Sequence, residues 1–180
     1  MERSLTHIAL FAALIAVLGL IPRIDLAAGV PITAQSLGIM LCGTVLGAKR
    51  GALAVVLFLV LVAAGLPLLS GGRGGLGVFS GPSVGFLIGF PVAAFVVGWI
   101  MQRTTLAPGL AATAASVIGG IGVLYVFGIS GMALNLGLSL TEASFLGMAF
   151  LPGDVVKAVL AGLITQSLAR MRPASLMSRA

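Results

Sequence analysis

The chain has 180 residues, 59% of them hydrophobic and only 8% charged, with a mean hydropathy of +1.23; soluble domains carry roughly 25% charge, so a water-covered fold is excluded. The same length accommodates about six membrane crossings of ~20 residues with short loops, as a single membrane domain over residues 1–180. A net charge of +6 does not signal nucleic acid, because the ten basic residues stand singly or in pairs between apolar stretches and form no basic stripe with interleaved aromatics.

Apolar segments bounded by charges, prolines or glycines run over 5–21, 33–48, 51–69, 83–101, 109–127 and 152–169, which predicts an all-α bundle of six transmembrane helices. The first has the positive flank (Arg3) and apolar core of a signal peptide, but comparable segments recur along the chain, so it is expected to be the first span. On it Ala9, Ala13 and Ala16 share one small-residue face, as do Ala12 and Ala16, suited to close helix packing or to contact with a second membrane protein.

The second segment is short, and Pro31 ahead of it suits a first helical turn. Thr33 and Gln35 stand at its entry, where each can hydrogen-bond a ligand or a neighbouring backbone.

Between the third and fourth segments lies the glycine-rich stretch 71–82, which contains a formal G-x-G-x-x-G. A dinucleotide site needs a preceding strand and an acid about twenty residues on, yet no acid occurs between Asp25 and Glu142. So many glycines suit a loop that folds over a ligand, Gly75 offering a close backbone approach and Arg73 a charge for an anionic group; a flexible linker is the plainer alternative. Glycines at 77, 81, 85 and 89 would form a smooth packing stripe if helical, beside which Phe86 offers a flat apolar wall. Trp99 and Tyr125 suit interfacial positions on the fourth and fifth helices.

The stretch 128–151 is too long for a turn and too apolar for a free loop. Ser139 and Glu142 have capping-box spacing, which predicts a short helix packed on the bundle and terminated by Pro152, with a partial seventh span left open. The sixth segment then carries Asp154 and Lys157, opposite charges at i, i+3 on one helix face. Each charge at mid-membrane costs ~2.5–3.5 kcal/mol, so such residues face a cavity or one another. As a ligand site the pair suits a neutral polar head plus a carboxylate. The plainer alternative is a self-neutralising pair that only eases insertion.

Assigning loops alternately to the two sides places Arg3, Lys49, Arg50, Arg103, Arg170, Arg172 and Arg179 on one side and only Arg23 and Arg73 on the other. Basic residues are retained in the cytoplasm, so both termini are expected inside, with Thr33, Gln35, Arg73, Asp154 and Lys157 converging at the outer face. Cys42 and His7 are each the sole residue of their type, which leaves no disulfide and no metal-ligand set. An intramembrane enzyme lacks support, there being no second carboxylate near Asp154 and no serine–lysine or serine–histidine pair at recognisable spacing. A purely structural subunit remains a competing reading.

Four stretches together, 30–35, 65–67 with the loop to 81–85, 89–91 and 151–157, resemble the BioY family, the biotin-specific substrate-binding (S) components of energy-coupling factor (ECF) transporters. The resemblance covers nearly the whole chain. It implies six helices in the cell membrane, biotin captured near the outer surface with Asp154 and Lys157 as the principal polar contacts, and docking of a transmembrane coupling subunit on the Ala9, Ala13, Ala16 face. Two partner ATPases would drive uptake; the chain itself has no P-loop and needs no cofactor. Solitary transport, or another small vitamin as substrate, is the alternative.

Overall fold

A computed structural model describes residues 2–25 and 29–179; the side chain of Arg3, one of the cations assigned to the inner side, lies outside the described part. Seven helices of eight residues or more occur among the described residues: α1 Glu2–Leu18, α2 Gln35–Leu46, α3 Ala48–Ala63, α4 Val84–Arg103, α5 Pro108–Leu136, α6 Leu140–Met148 and α7 Leu151–Met171. Short 3₁₀ turns cover Leu76–Ser80 and Pro173–Ser175.

The all-helical expectation holds, but the segments are cut differently. α4 and α5 are each long and apolar enough to cross a membrane, and α6 with α7 makes a third span if the pair, bent by 57°, is counted as one. α1, α2 and α3 are shorter, with 17, 12 and 16 residues. At ~1.5 Å per residue, α2 spans roughly 18 Å of a hydrocarbon layer ~30 Å thick. The described residues missing from these helices, 19–25, 29–34 and 64–83, lie over one end of the bundle. Pro31 accordingly falls outside α2 and not in its first turn.

The stretch 128–151 is divided between two helices. Its first part continues α5 to Leu136, where Gly137 closes the helix in the left-handed conformation (φ 67°). The capping box of Ser139 and Glu142 then starts α6, as its spacing predicts. Pro152 does not end α6, which stops at Met148; it lies in the first turn of α7, where its missing N–H leaves no carbonyl unpaired.

α2 is the buried centre: every residue from Gln35 to Leu46 except Leu37 is shielded, as expected of a helix apolar all round. Around it pack Ile15 of α1, Val55 and Phe58 of α3, and Ala93 and Ala94 of α4, all fully buried. α4 meets α5 at a glycine-to-glycine contact, where a Cβ on Gly85 would run into the Phe127 carbonyl and the Cα of Gly131. Of the expected stripe, Gly85 and Gly89 serve this packing; Gly77 and Gly81 lie outside α4 with open space beside them. The outer surface is apolar, with Leu110, Val126, Leu134 and Phe145 each at least 66% exposed. Such a surface is covered by lipid, not water. Trp99 stands on it near the end of α4, with the Arg103 guanidinium 5.6 Å over its ring.

Just past the end of α1, Gly19 lies beside Gln35 and Leu68, and α7 starts near Ser36 with Asp154. The beginning of α1 and the end of α7 therefore share the opposite end of the bundle, where Ser178 donates its N–H to the Val45 carbonyl at 2.9 Å.

Candidate functional site

The short α2 leaves a recess at its first turn, and a cavity of about 70 Å³ occupies it. Its wall includes Val30, Pro31, Ile32, Thr33, Gln35 and Ser36 from the entry to α2, Leu69 and Arg73 from the glycine-rich loop, Phe86 and Phe90 from α4, and Phe150, Asp154 and Lys157 from the α6–α7 corner. Small polar groups converge on an otherwise apolar and aromatic surface, the usual make-up of a small-molecule site.

The sharp turn between α6 and α7 aims the first turn of α7 into the bundle, and the i, i+3 spacing brings its two charges together. Lys157 Nζ donates to Asp154 Oδ1 at 2.8 Å, with the two side chains only 13% and 8% exposed. Lys157 also donates to Ser36 Oγ at 3.0 Å, and Ser36 Oγ donates to Asp154 Oδ1 at 3.2 Å. The Tyr125 hydroxyl donates to Asp154 Oδ2 at 2.9 Å. Four residues from three helices thus close one network. An ammonium has three donors and a carboxylate about four acceptor positions, so one Lys157 proton and part of the Asp154 acceptor capacity stay unused. Asp154 also sits in the first turn of α7, where the helix dipole favours an anion.

Sequence reading anticipated the pair but not Ser36 or Tyr125. Tyr125 was expected at the membrane interface; it lies well inside α5, with its hydroxyl on Asp154. A π-helical segment at Ser116–Val123 precedes it and changes the register of α5. Nothing in local composition marks either hydroxyl, because a serine or tyrosine in an apolar helix carries no charge that demands a partner.

Phe86 forms the expected wall, edge-on to Tyr125 (centroids 6.4 Å) and to Phe150 (5.7 Å). Thr33 lines the cavity and its hydroxyl accepts the Gln35 N–H at 3.3 Å. Gln35 is 2% exposed and spends its amide on backbone: Nε2 donates to the carbonyls of Ile15 (3.1 Å) and Leu68 (3.0 Å), and Oε1 accepts the Ser70 N–H (3.1 Å). Arg73 reaches the cavity with its Nε donating to the Ser70 carbonyl at 3.3 Å. Burial, and then repulsion from Arg23, lower its affinity for a proton, against a smaller opposite pull from Asp25. Gly75 does not line the cavity: its N–H goes to the Val62 carbonyl at 2.8 Å and its φ of 81° makes the turn into the 3₁₀ segment. Ala9 and Ala13 are exposed on α1, and Ala16 packs partly on the core.

This helical bundle, with a cavity at one end and an ion pair in its wall, has the fold of a transporter S component. The crystal structure described as the S-component for biotin from an ECF-type ABC transporter matches with a TM-score of 0.90 at 30% identity, over 97% of this chain and 96% of that one. The profile of the BioY family matches residues 2–174, and the chain belongs to that family. It is 52% identical over 189 aligned residues to the biotin transporter BioY of Rhodobacter capsulatus, covering 99% of this chain and all of that one. It is 54% identical to the biotin transporter BioY of Rhizobium etli, over 90% of each chain.

Proposed function

We propose that this protein takes up biotin, as the substrate-binding membrane subunit of an ECF-type vitamin transporter, and that it is a transport protein and not an enzyme. The observation that carries the reading is the network of Asp154, Lys157, Ser36 and Tyr125 at the cavity wall, in a chain whose relatives are named biotin transporters. A ureido ring offers N–H donors and a carbonyl, of which one N–H matches the acceptor position left on Asp154 and the carbonyl matches the unused proton of Lys157. Phe86 is the wall for the apolar part of the ligand, with Thr33 and Arg73 as further polar contacts.

The bundle is read as six crossings, with both termini cytoplasmic and the cavity outside. The lopsided distribution of Lys and Arg supports this orientation, and so does the placement of the start of α1 and the end of α7 at the end away from the cavity. The exposed Ala9 and Ala13, with Ala16, are the proposed contact for a transmembrane coupling subunit, through which two ATPases act.

Purified protein should bind biotin and melt at a higher temperature with it, by preferential binding to the native state. Cells expressing the chain should accumulate radiolabelled biotin, more so with the coupling and ATPase subunits; uptake unchanged by them makes it a solitary transporter. Absence of both binding and uptake would sink the proposal, and a thermal shift with a different vitamin would reassign the substrate.

A further inference from the structure

Gln35 lines the cavity, yet both of its donors and one acceptor position are already committed to backbone of two other segments. The fit around it is close. A Cβ on Gly19 would sit 2.5 Å from the Leu68 carbonyl oxygen and 2.9 Å from Gln35 Nε2, so the end of α1, the start of α2 and the loop after α3 meet at this amide. The backbone of Ser70 is gripped through both of its polar groups. Its N–H goes to Gln35, and its carbonyl accepts from Arg23 Nη1 (2.9 Å) and Arg73 Nε (3.3 Å). Leu69 and Arg73 exchange backbone hydrogen bonds at 3.0 and 3.2 Å across a tight turn, which leaves Arg73 little freedom relative to Ser70. Arg23 spends its charge on Asp25 at 2.7 Å. Among the described residues no carboxylate lies within ion-pair distance of Arg73, so its charge is left for whatever enters the cavity.

We propose that Gln35 is a positioning residue and not a ligand contact: by fixing the backbone at Ser70 it holds Arg73 at the cavity, and so sets the preference for a ligand with an anionic group. This rests on the proposed biotin function.

The test compares biotin with its carboxamide, which is nearly isosteric but uncharged, in the full-length protein and in Gln35→Met, Arg73→Gln and Gly19→Ala, together with hydrogen exchange at the Ser70 amide without ligand. Gly19 does not line the cavity. Wild type should prefer the acid by about tenfold, the scale of one charge-assisted hydrogen bond. All three variants should bring that ratio close to one, and Gln35→Met and Gly19→Ala should also speed exchange at Ser70. A uniform loss of affinity for both ligands, with the ratio kept, is what mere destabilisation or a lost direct contact gives, and it overturns the proposal. So does a wild type that does not distinguish the two ligands, or unchanged Ser70 exchange in Gly19→Ala. If Gln35→Met fails to fold, Gly19→Ala decides. Binding of neither ligand by wild type refutes the biotin reading and the ligand half of this inference, while the exchange measurement still decides whether Gln35 holds the loop.

Discussion

Replacing Lys157 with Met keeps most of the side-chain volume and deletes the charge. Asp154, 8% exposed at its side chain, then retains the Ser36 and Tyr125 hydroxyls but loses the 2.8 Å ammonium contact. Breaking a buried ion pair from one side typically costs ~3–5 kcal/mol, because the remaining charge has no counterpart. For a chain of this size a destabilisation of 1 kcal/mol lowers the melting midpoint by about 2–4 °C, so Lys157→Met should melt about 6–20 °C lower. The companion variant Asp154→Asn with Lys157→Met removes both charges. A buried pair replaced by neutral groups is often neutral in stability, so the double variant should regain much of the loss. Biotin binding should not return in either. The assay is a thermal melt of detergent-solubilised protein, with biotin titrated calorimetrically into each folded variant. If Lys157→Met melts with the wild type, or the double variant is no more stable than the single, the pair is not electrostatically coupled as its geometry requires. Wild-type affinity in the folded double variant would remove it from the ligand site.

Two further outcomes follow from the packing. Tyr125→Phe takes one donor from Asp154; a hydrogen bond to a charged group contributes roughly 1.5–3 kcal/mol, so its melting midpoint should fall by about 3–12 °C, and an unchanged midpoint would show that this contact does not stabilise the fold. Gly85→Ala sets a Cβ against the Phe127 carbonyl and Gly131; overpacking of ~1–3 kcal/mol predicts a fall of about 2–12 °C, whereas a gain in stability would contradict the close approach of α4 and α5.

The membrane character and the helical class were legible in the sequence because both are sums over many residues: apolar content, scarce charge and six hydrophobic runs. The ion pair was legible too, because two charges in an apolar segment are costly unless they meet, and i, i+3 spacing puts them on one face. The capping box of α6 is similarly local, settled by residues three apart. What the chain could not disclose are relations between helices. The exact ends of α2 and the continuation of α5 to Leu136 depend on where loops find partners, and hydropathy is blind to that, whereas the start of the last helix at Pro152 is a local signal that the structure keeps.

The same holds for the site. Ser36 lies 118 residues from Asp154 along the chain and Tyr125 lies 29. They reach it through the burial of α2 at the centre of the bundle and the π-helical register change in α5. Gln35 could equally have served a ligand or a backbone, and only the docking of α1 and the loop after α3 on its amide committed it to the second. Periodicity determines which residues share a face of one helix, and charge determines which of them must find a partner. Which faces then meet is decided by close packing, and with it the make-up of the cavity.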